Sequence, residues 1–92
     1  MKVMLTWSAK SGKYAEAANL FLAGHAVPPN GVTLLGRWHS LDIGTGFVLL
    51  ETDDPTLIFR NNAVWADILD IEASIVLEDN EAGPIIAEKY QK

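Results

Sequence analysis

Apolar positions change their period several times along the chain. Over residues 2–8, Val3, Leu5 and Trp7 alternate with Met4, Thr6 and Ser8, a period of two that predicts a strand. Both sets hold apolar members, so both faces of this strand are expected to be covered. Ala9-Lys10-Ser11-Gly12 reads as a connector. Over residues 13–23 the period becomes helical, with Tyr14, Ala17, Ala18 and Phe21 at i, i+3, i+4 and i+7 on one face. Ser11 is the expected N-cap, and Gly24 the expected end, because glycine accepts the left-handed backbone. Pro28-Pro29 and Asn30-Gly31 make residues 25–31 a loop.

A second strand is predicted over residues 32–41, and a turn over residues 42–46, where Gly44 and Gly46 offer positive φ. The third strand is expected over 47–52. Asp53-Asp54-Pro55 is a helix start: an aspartate caps the free N–H groups and proline fits the first helical position. That helix covers residues 55–66. Leu57, Ile58, Val64, Trp65 and Ile68 are assigned to one side, and Arg60, Asn61 and Asn62 to the other. A fourth strand follows over 69–78, with Leu69, Ile71, Ala73, Ile75 and Leu77 on one face. In the remaining tail, Gly83-Pro84 precedes a short helix carrying Ile85, Ile86 and Tyr90.

The order β-α-β-β-α-β implies an α+β fold, a ferredoxin-like four-stranded antiparallel sheet with both helices on one face. The domain is expected over residues 1–80, with a C-terminal tail over 81–92. Two helices cover one face of the sheet only. Strands one to three are apolar on both faces, so a homodimer with facing sheets is expected to bury the second.

Composition sharpens this picture. The 92 residues contain no cysteine, so no disulfide supports a core that a chain this short makes only marginally large. Two histidines and no cysteine leave no usual zinc cage, and neither a metal nor a cofactor is expected. The net charge is −5. Residues 1–50 carry four Lys/Arg and two Asp/Glu, while residues 51–92 carry three and ten. An acidic balance disfavours nucleic acid as a partner. No apolar run approaches the ~20 residues of a membrane helix, and the N-terminal apolar stretch is too short for a signal peptide, so a cytoplasmic location with no membrane partner is expected.

Several constellations of residues bear on chemistry. Lys10-Ser11-Gly12-Lys13 lacks the first glycine and the final Ser/Thr of a phosphate loop, which leaves solvated lysines as the plainer reading. The row from Ile43 to Leu50 matches an RNA-recognition strand at its glycines, Phe47 and Val48. It lacks the basic residue and two of three aromatics. Arg37-Trp38-His39 lies on a strand expected to be central. Arg37 and His39 share one face, and Glu51 on the neighbouring strand is placed to approach either. A histidine tuned by a carboxylate can act as a general base; a cross-strand polar cluster is the plainer reading. Asn61 and Trp65, four apart on the second helix, share a face and could orient a planar substrate.

The blocks Val3-Met4-Leu5-Thr6-Trp7, Leu34-Leu35-Gly36-Arg37-Trp38-His39, Gly46-Phe47-Val48-Leu49-Leu50-Glu51-Thr52-Asp53-Asp54-Pro55 and Trp65-Ala66-Asp67-Ile68-Leu69 resemble a small bacterial domain-of-unknown-function family of the dimeric α+β barrel superfamily. The resemblance covers about residues 1–80. It implies the ferredoxin-like fold and the homodimer, and carries no reaction. The wider superfamily includes cofactor-free quinone-forming monooxygenases, lactone isomerases, haem-degrading enzymes and simple ligand binders. Asn61 and Trp65 are similar to an Asn–Trp pair on the corresponding helix of the quinone-forming monooxygenases. The reading is therefore a small homodimer that binds or transforms a small, aromatic-type molecule between sheet and helices. His39, Asn61 and Trp65 are the candidate catalytic residues. Trp7, Arg37, Trp38 and Glu51 are the candidate substrate contacts. An enzyme here would be monooxygenase-like or isomerase-like without a cofactor. The alternative is a non-catalytic dimerisation or interaction module presenting its acidic C-terminal half.

Overall fold

The computed structural model describes residues 1–91. The elements are β1 (Lys2–Ala9), α1 (Tyr14–Leu22), β2 (Thr33–His39), β3 (Thr45–Glu51), α2 (Pro55–Trp65), β4 (Leu69–Val76) and α3 (Asp79–Tyr90). The strands form one antiparallel sheet in the order β2-β3-β1-β4, the ferredoxin-like arrangement expected. β1 and β3 are the inner strands. The strand carrying Arg37, expected to be central, is an edge, because the crossover through α1 skips one strand position and the hairpin brings β3 back beside β1.

Each helix end has a local cause. Gly24, at φ +89°, closes α1: its N–H donates to the Phe21 carbonyl and that of His25 to the Leu20 carbonyl, both at 3.0 Å. This pair of bonds is the Schellman motif, and it is why the helix stops where the glycine stands. The start of α1 differs from the expectation. Gly12, at φ +75°, lies in a turn closed by the Lys13 N–H on the Lys10 carbonyl at 2.9 Å. That turn separates Ser11 from the helix, and Lys13 occupies the N-cap with no side-chain bond.

At α2 the expectation holds: Asp54 is the N-cap and Pro55 the first helical residue. The Asp54 carboxylate accepts from the Thr56 N–H at 3.0 Å and from the Thr56 hydroxyl at 2.6 Å. Just upstream, the buried Thr52 hydroxyl donates to the Gly31 carbonyl at 2.8 Å and accepts from the Asp54 N–H at 3.1 Å. One side chain thus ties the proline-rich loop to the junction between β3 and α2. The hairpin between β2 and β3 turns through Ile43 at φ +60° and Gly44 at φ +93°. Gly46 belongs to β3 and does not take positive φ.

The tail folds differently from the expectation. α3 starts at Asp79 and runs through Gly83-Pro84 rather than beginning after it. Glu78 and Glu81 form a reciprocal capping box, with the Glu78 N–H on the Glu81 carboxylate at 3.1 Å. Nucleation upstream outweighs the bond that Pro84 cannot donate. None of the residues of α3 is buried. The radius of gyration is 15.6 Å, against about 12 Å for a compact chain of this length.

The Thr56 hydroxyl and N–H, helped by the charge of Arg60, hold the Asp54 carboxyl below the usual aspartate range. A depressed carboxyl stabilises the fold above its unfolded pKa, and the contribution disappears as pH falls through its folded value. Asp54→Ala is expected to lower Tm at pH 7, with the gap to wild type narrowing below about pH 4, where the unfolded carboxyl protonates. Thermal denaturation across pH checks this. A constant gap would show that the cap works without its charge.

Candidate cleft between the sheet and the helices

The register divides the sheet into two faces. Val3, Leu5 and Trp7 oppose Leu50, Val48 and Gly46 on β3 and Ile75, Ala73 and Ile71 on β4, and this face looks toward α1 and α2. Arg37 opposite Val48 and His39 opposite Gly46 join it. The helices do not fill the space above it. Buried apolar residues form two clusters, one around Val3, Leu5, Val48, Leu50 and Ile58, the other around Ala17, Trp65 and Ile68. Ile71 touches both. Between them lies an open cleft of about 310 Å³. Among the described residues no side chain is wholly withdrawn from water.

The helices present their inner faces to this cleft. On α1 these are Tyr14, Ala17, Ala18 and Phe21, as the helical period predicts. On α2 they are Ile58, Asn61, Asn62 and Trp65, again at i, i+3, i+4 and i+7. Both asparagines therefore face inward, not outward as their polarity predicts, and Val64 is 70 % exposed on the outer side. The Asn62 Oδ1 is buried without a hydrogen-bond partner. A buried unpaired polar atom costs about 1–3 kcal/mol. Rotation of the terminal amide, a soft torsion, would turn the oxygen or the NH₂ toward the cleft.

The sheet wall is aromatic and cationic. Trp7 lies over Gly46, where a Cβ would meet both the indole and the Trp38 carbonyl at 2.5 Å. His39 stands edge-on to Trp7, centroids 5.6 Å apart, and to Phe21 at 5.4 Å. The Arg37 guanidinium sits over the Phe21 ring at 5.4 Å. Its Nη2 donates to the Ala26 carbonyl at 2.6 Å, which holds the loop after α1 against the sheet edge. Burial pushes the Arg37 pKa down, yet a guanidinium remains charged at any physiological pH.

Of the residues singled out in the sequence, Trp7, Arg37, His39, Asn61 and Trp65 meet in the cleft. Trp38 and Glu51 do not. Trp38 opposes Phe47 on the other face and is 53 % exposed, with its ring folded over Gly36. Glu51 opposes Lys2 and pairs with its ammonium at 3.3 Å, so it cannot approach Arg37 or His39. Lys2 also reaches Glu78 at 3.4 Å, and hydrogen bonds to these two carboxylates raise its pKa. Phe21 and Asn62 also line the cleft, beyond the residues singled out in the sequence. The inner-face spacing from Ile58 to Trp65 was the signal for Asn62. Among the described residues no three His, Asp or Glu side chains gather to hold a metal.

Residues 1–90 match a family described as a domain of unknown function, DUF3303. The chain belongs to this family. Membership agrees with the resemblance carried by the sequence blocks and extends it through α3. No curated protein matches the chain. A crystal structure from Deinococcus radiodurans, assigned to the antibiotic biosynthesis monooxygenases, is similar over 85 % of this chain and 94 % of its own, at 17 % identity and a TM-score of 0.49.

In this DUF3303 domain the missing side chain of Gly46 leaves room for Trp7, a wall of the cleft, and for the Trp38 carbonyl. Gly46→Ala is expected to displace Trp7 and to destabilise the fold by about 1–3 kcal/mol, the usual cost of overpacking. Urea denaturation and the near-ultraviolet tryptophan spectrum check this. Unchanged stability with an unchanged spectrum would mean that Trp7 does not rest on Gly46.

Proposed function

We propose that the protein binds a small, mainly apolar ring compound in this cleft and works as a homodimer. One observation carries the first part: a space of about 310 Å³ stands where a continuous core would be, with an asparagine pair turned into it. Ligand sites are clefts of roughly 300–1,000 Å³ with mostly apolar walls and a few placed polar groups. Here the polar groups are Tyr14, Arg37, His39, Asn61 and Asn62. An interaction module without a ligand has no need of an unfilled core. If the chain is an enzyme, His39 is the proton-transfer group within reach of the aromatic walls, and Asn61 and Trp65 orient the ring.

The dimer reading rests on the second face. Trp38 and Phe47 oppose each other there, 53 % and 46 % exposed, beside the half-buried Met4 and Leu49. The chain exposes 6583 Å², against roughly 5,300 Å² for a compact monomer of its mass. The excess, about 1,300 Å² on one chain, is more than the roughly 800 Å² that each partner buries in a standard interface. The exposed α3, with Ile85, Ile86 and Tyr90 at the surface, favours an additional role in association.

Two outcomes follow. If the chain is an oxygenase, phenolic and quinol compounds drive oxygen uptake in wild type, reduced at least tenfold in Asn61→Ala and Trp65→Phe. Uptake absent from every compound would leave a binder; uptake equal in all three proteins would remove Asn61 and Trp65 from the chemistry. Light scattering is expected to give about twice the 10.1 kDa chain mass at low micromolar concentration, and Phe47→Asp to halve it. A wild-type monomer would overturn the facing-sheet dimer.

A further inference from the structure

The cleft's charge is the reverse of the chain's. The protein carries 12 Asp and Glu and a net charge of −5. Yet among the described residues none of those carboxylates, and no lysine, lines the cleft; its one permanently charged side chain is Arg37. Among the described residues Arg37 also has no carboxylate within ion-pair distance, since the ion pairs are those of Lys2 with Glu51 and Glu78. Glu51, whose strand was expected to bring it near Arg37 or His39, sits on the opposite face.

The guanidinium is nevertheless fixed in place. It is partly buried over Phe21 and held by one bond to the Ala26 carbonyl, which engages one of its five N–H donors. Removing a cation from water without a counter-charge is unfavourable, and a site that does so gains most from an anion that enters with its own apolar body. The planar fork matches a carboxylate in two parallel bonds. Beside it lie the faces and edges of Phe21, His39 and Trp7, and the inward asparagines stand on the helical wall opposite the sheet.

Resting on the reading of the cleft as a ligand site, we propose that its ligand is a ring-bearing carboxylate, with the acid group on Arg37 and the ring between α2 and the sheet. A space of about 310 Å³ lies at the small end of ligand clefts, which suits an acid with one or two rings. Asn61 and Asn62 then meet polar substituents on the ring's far side, so acids with a hydroxyl on that side bind more tightly than the plain ring.

The test is calorimetric titration of the full chain with three isosteres: 2-naphthoate, its neutral amide and 2-naphthylmethylamine. Naphthoate is expected to bind at least tenfold more tightly than the amide, and the amine most weakly. Arg37→Gln is expected to abolish the preference for the acid, bringing the affinities of acid and amide to within about threefold of each other. Arg37→Lys retains the charge and is expected to keep part of the preference, with circular dichroism reporting the fold of both variants. Equal binding of acid and amide to wild type, or an acid preference that survives Arg37→Gln, would overturn the charge assignment while leaving the cleft a ligand site. No binding by any of the three at millimolar concentration would overturn both.

Discussion

The space between the helices and the sheet governs this molecule. A helix pair on a four-stranded sheet normally closes its interface with large apolar side chains, because burying them is the main source of stability in a small domain. Here the inner faces carry Ala17, Ala18, Asn61 and Asn62 at positions where leucine or isoleucine would close the gap. The two apolar clusters that remain are joined through Ile71 and leave the centre open. In a chain without disulfides, that is a large departure from the arrangement stability alone would select. Such departures in natural proteins concentrate at functional sites.

The elements around the space are positioned by short-range devices rather than by packing across it. The Schellman motif at Gly24 fixes where α1 ends, and Arg37 then clamps the following loop through Ala26. Thr52 binds the far end of that loop at Gly31 and sets the start of α2 at Asp54. Gly46 leaves room for Trp7 on the floor. Each of these is a polar or steric constraint local to one wall. Together they hold an opening that hydrophobic collapse would tend to close.

Much of the fold was legible in the amino-acid pattern because the governing signals are local. The period of two in β1, the helical spacing from Tyr14 to Phe21 and the Asp54-Pro55 cap each state their own element, and their order selects the sheet topology. The departures have equally local reasons. Polarity placed Asn61 and Asn62 on the outside of α2, although the spacing of Asn61 from Trp65 already put it inside and that of Asn62 from Ile58 puts it there too. Patterning assumes that inner faces are apolar, and a ligand site is where that assumption fails. Glu51 was drawn toward Arg37 because the register of β2 on β3, including its shift between Leu34 and Gly36, cannot be read from composition. Gly83-Pro84 looked like a break because a proline signal is strong, but the Glu78–Glu81 capping box had already started the helix.

The three tryptophans supply a built-in test of the central claim. Trp7 and Trp65 line the cleft, and Trp38 lies on the opposite face of the sheet. Nuclear magnetic resonance of the ¹⁵N-labelled chain reads their indole N–H groups together with the side-chain amides of Asn61 and Asn62. Titration with an aromatic carboxylate is predicted to shift Trp7, Trp65 and both asparagine amides along one saturating curve, with Trp38 unmoved. Shifts confined to Trp38 and the residues of α3, with the cleft silent, would contradict the account.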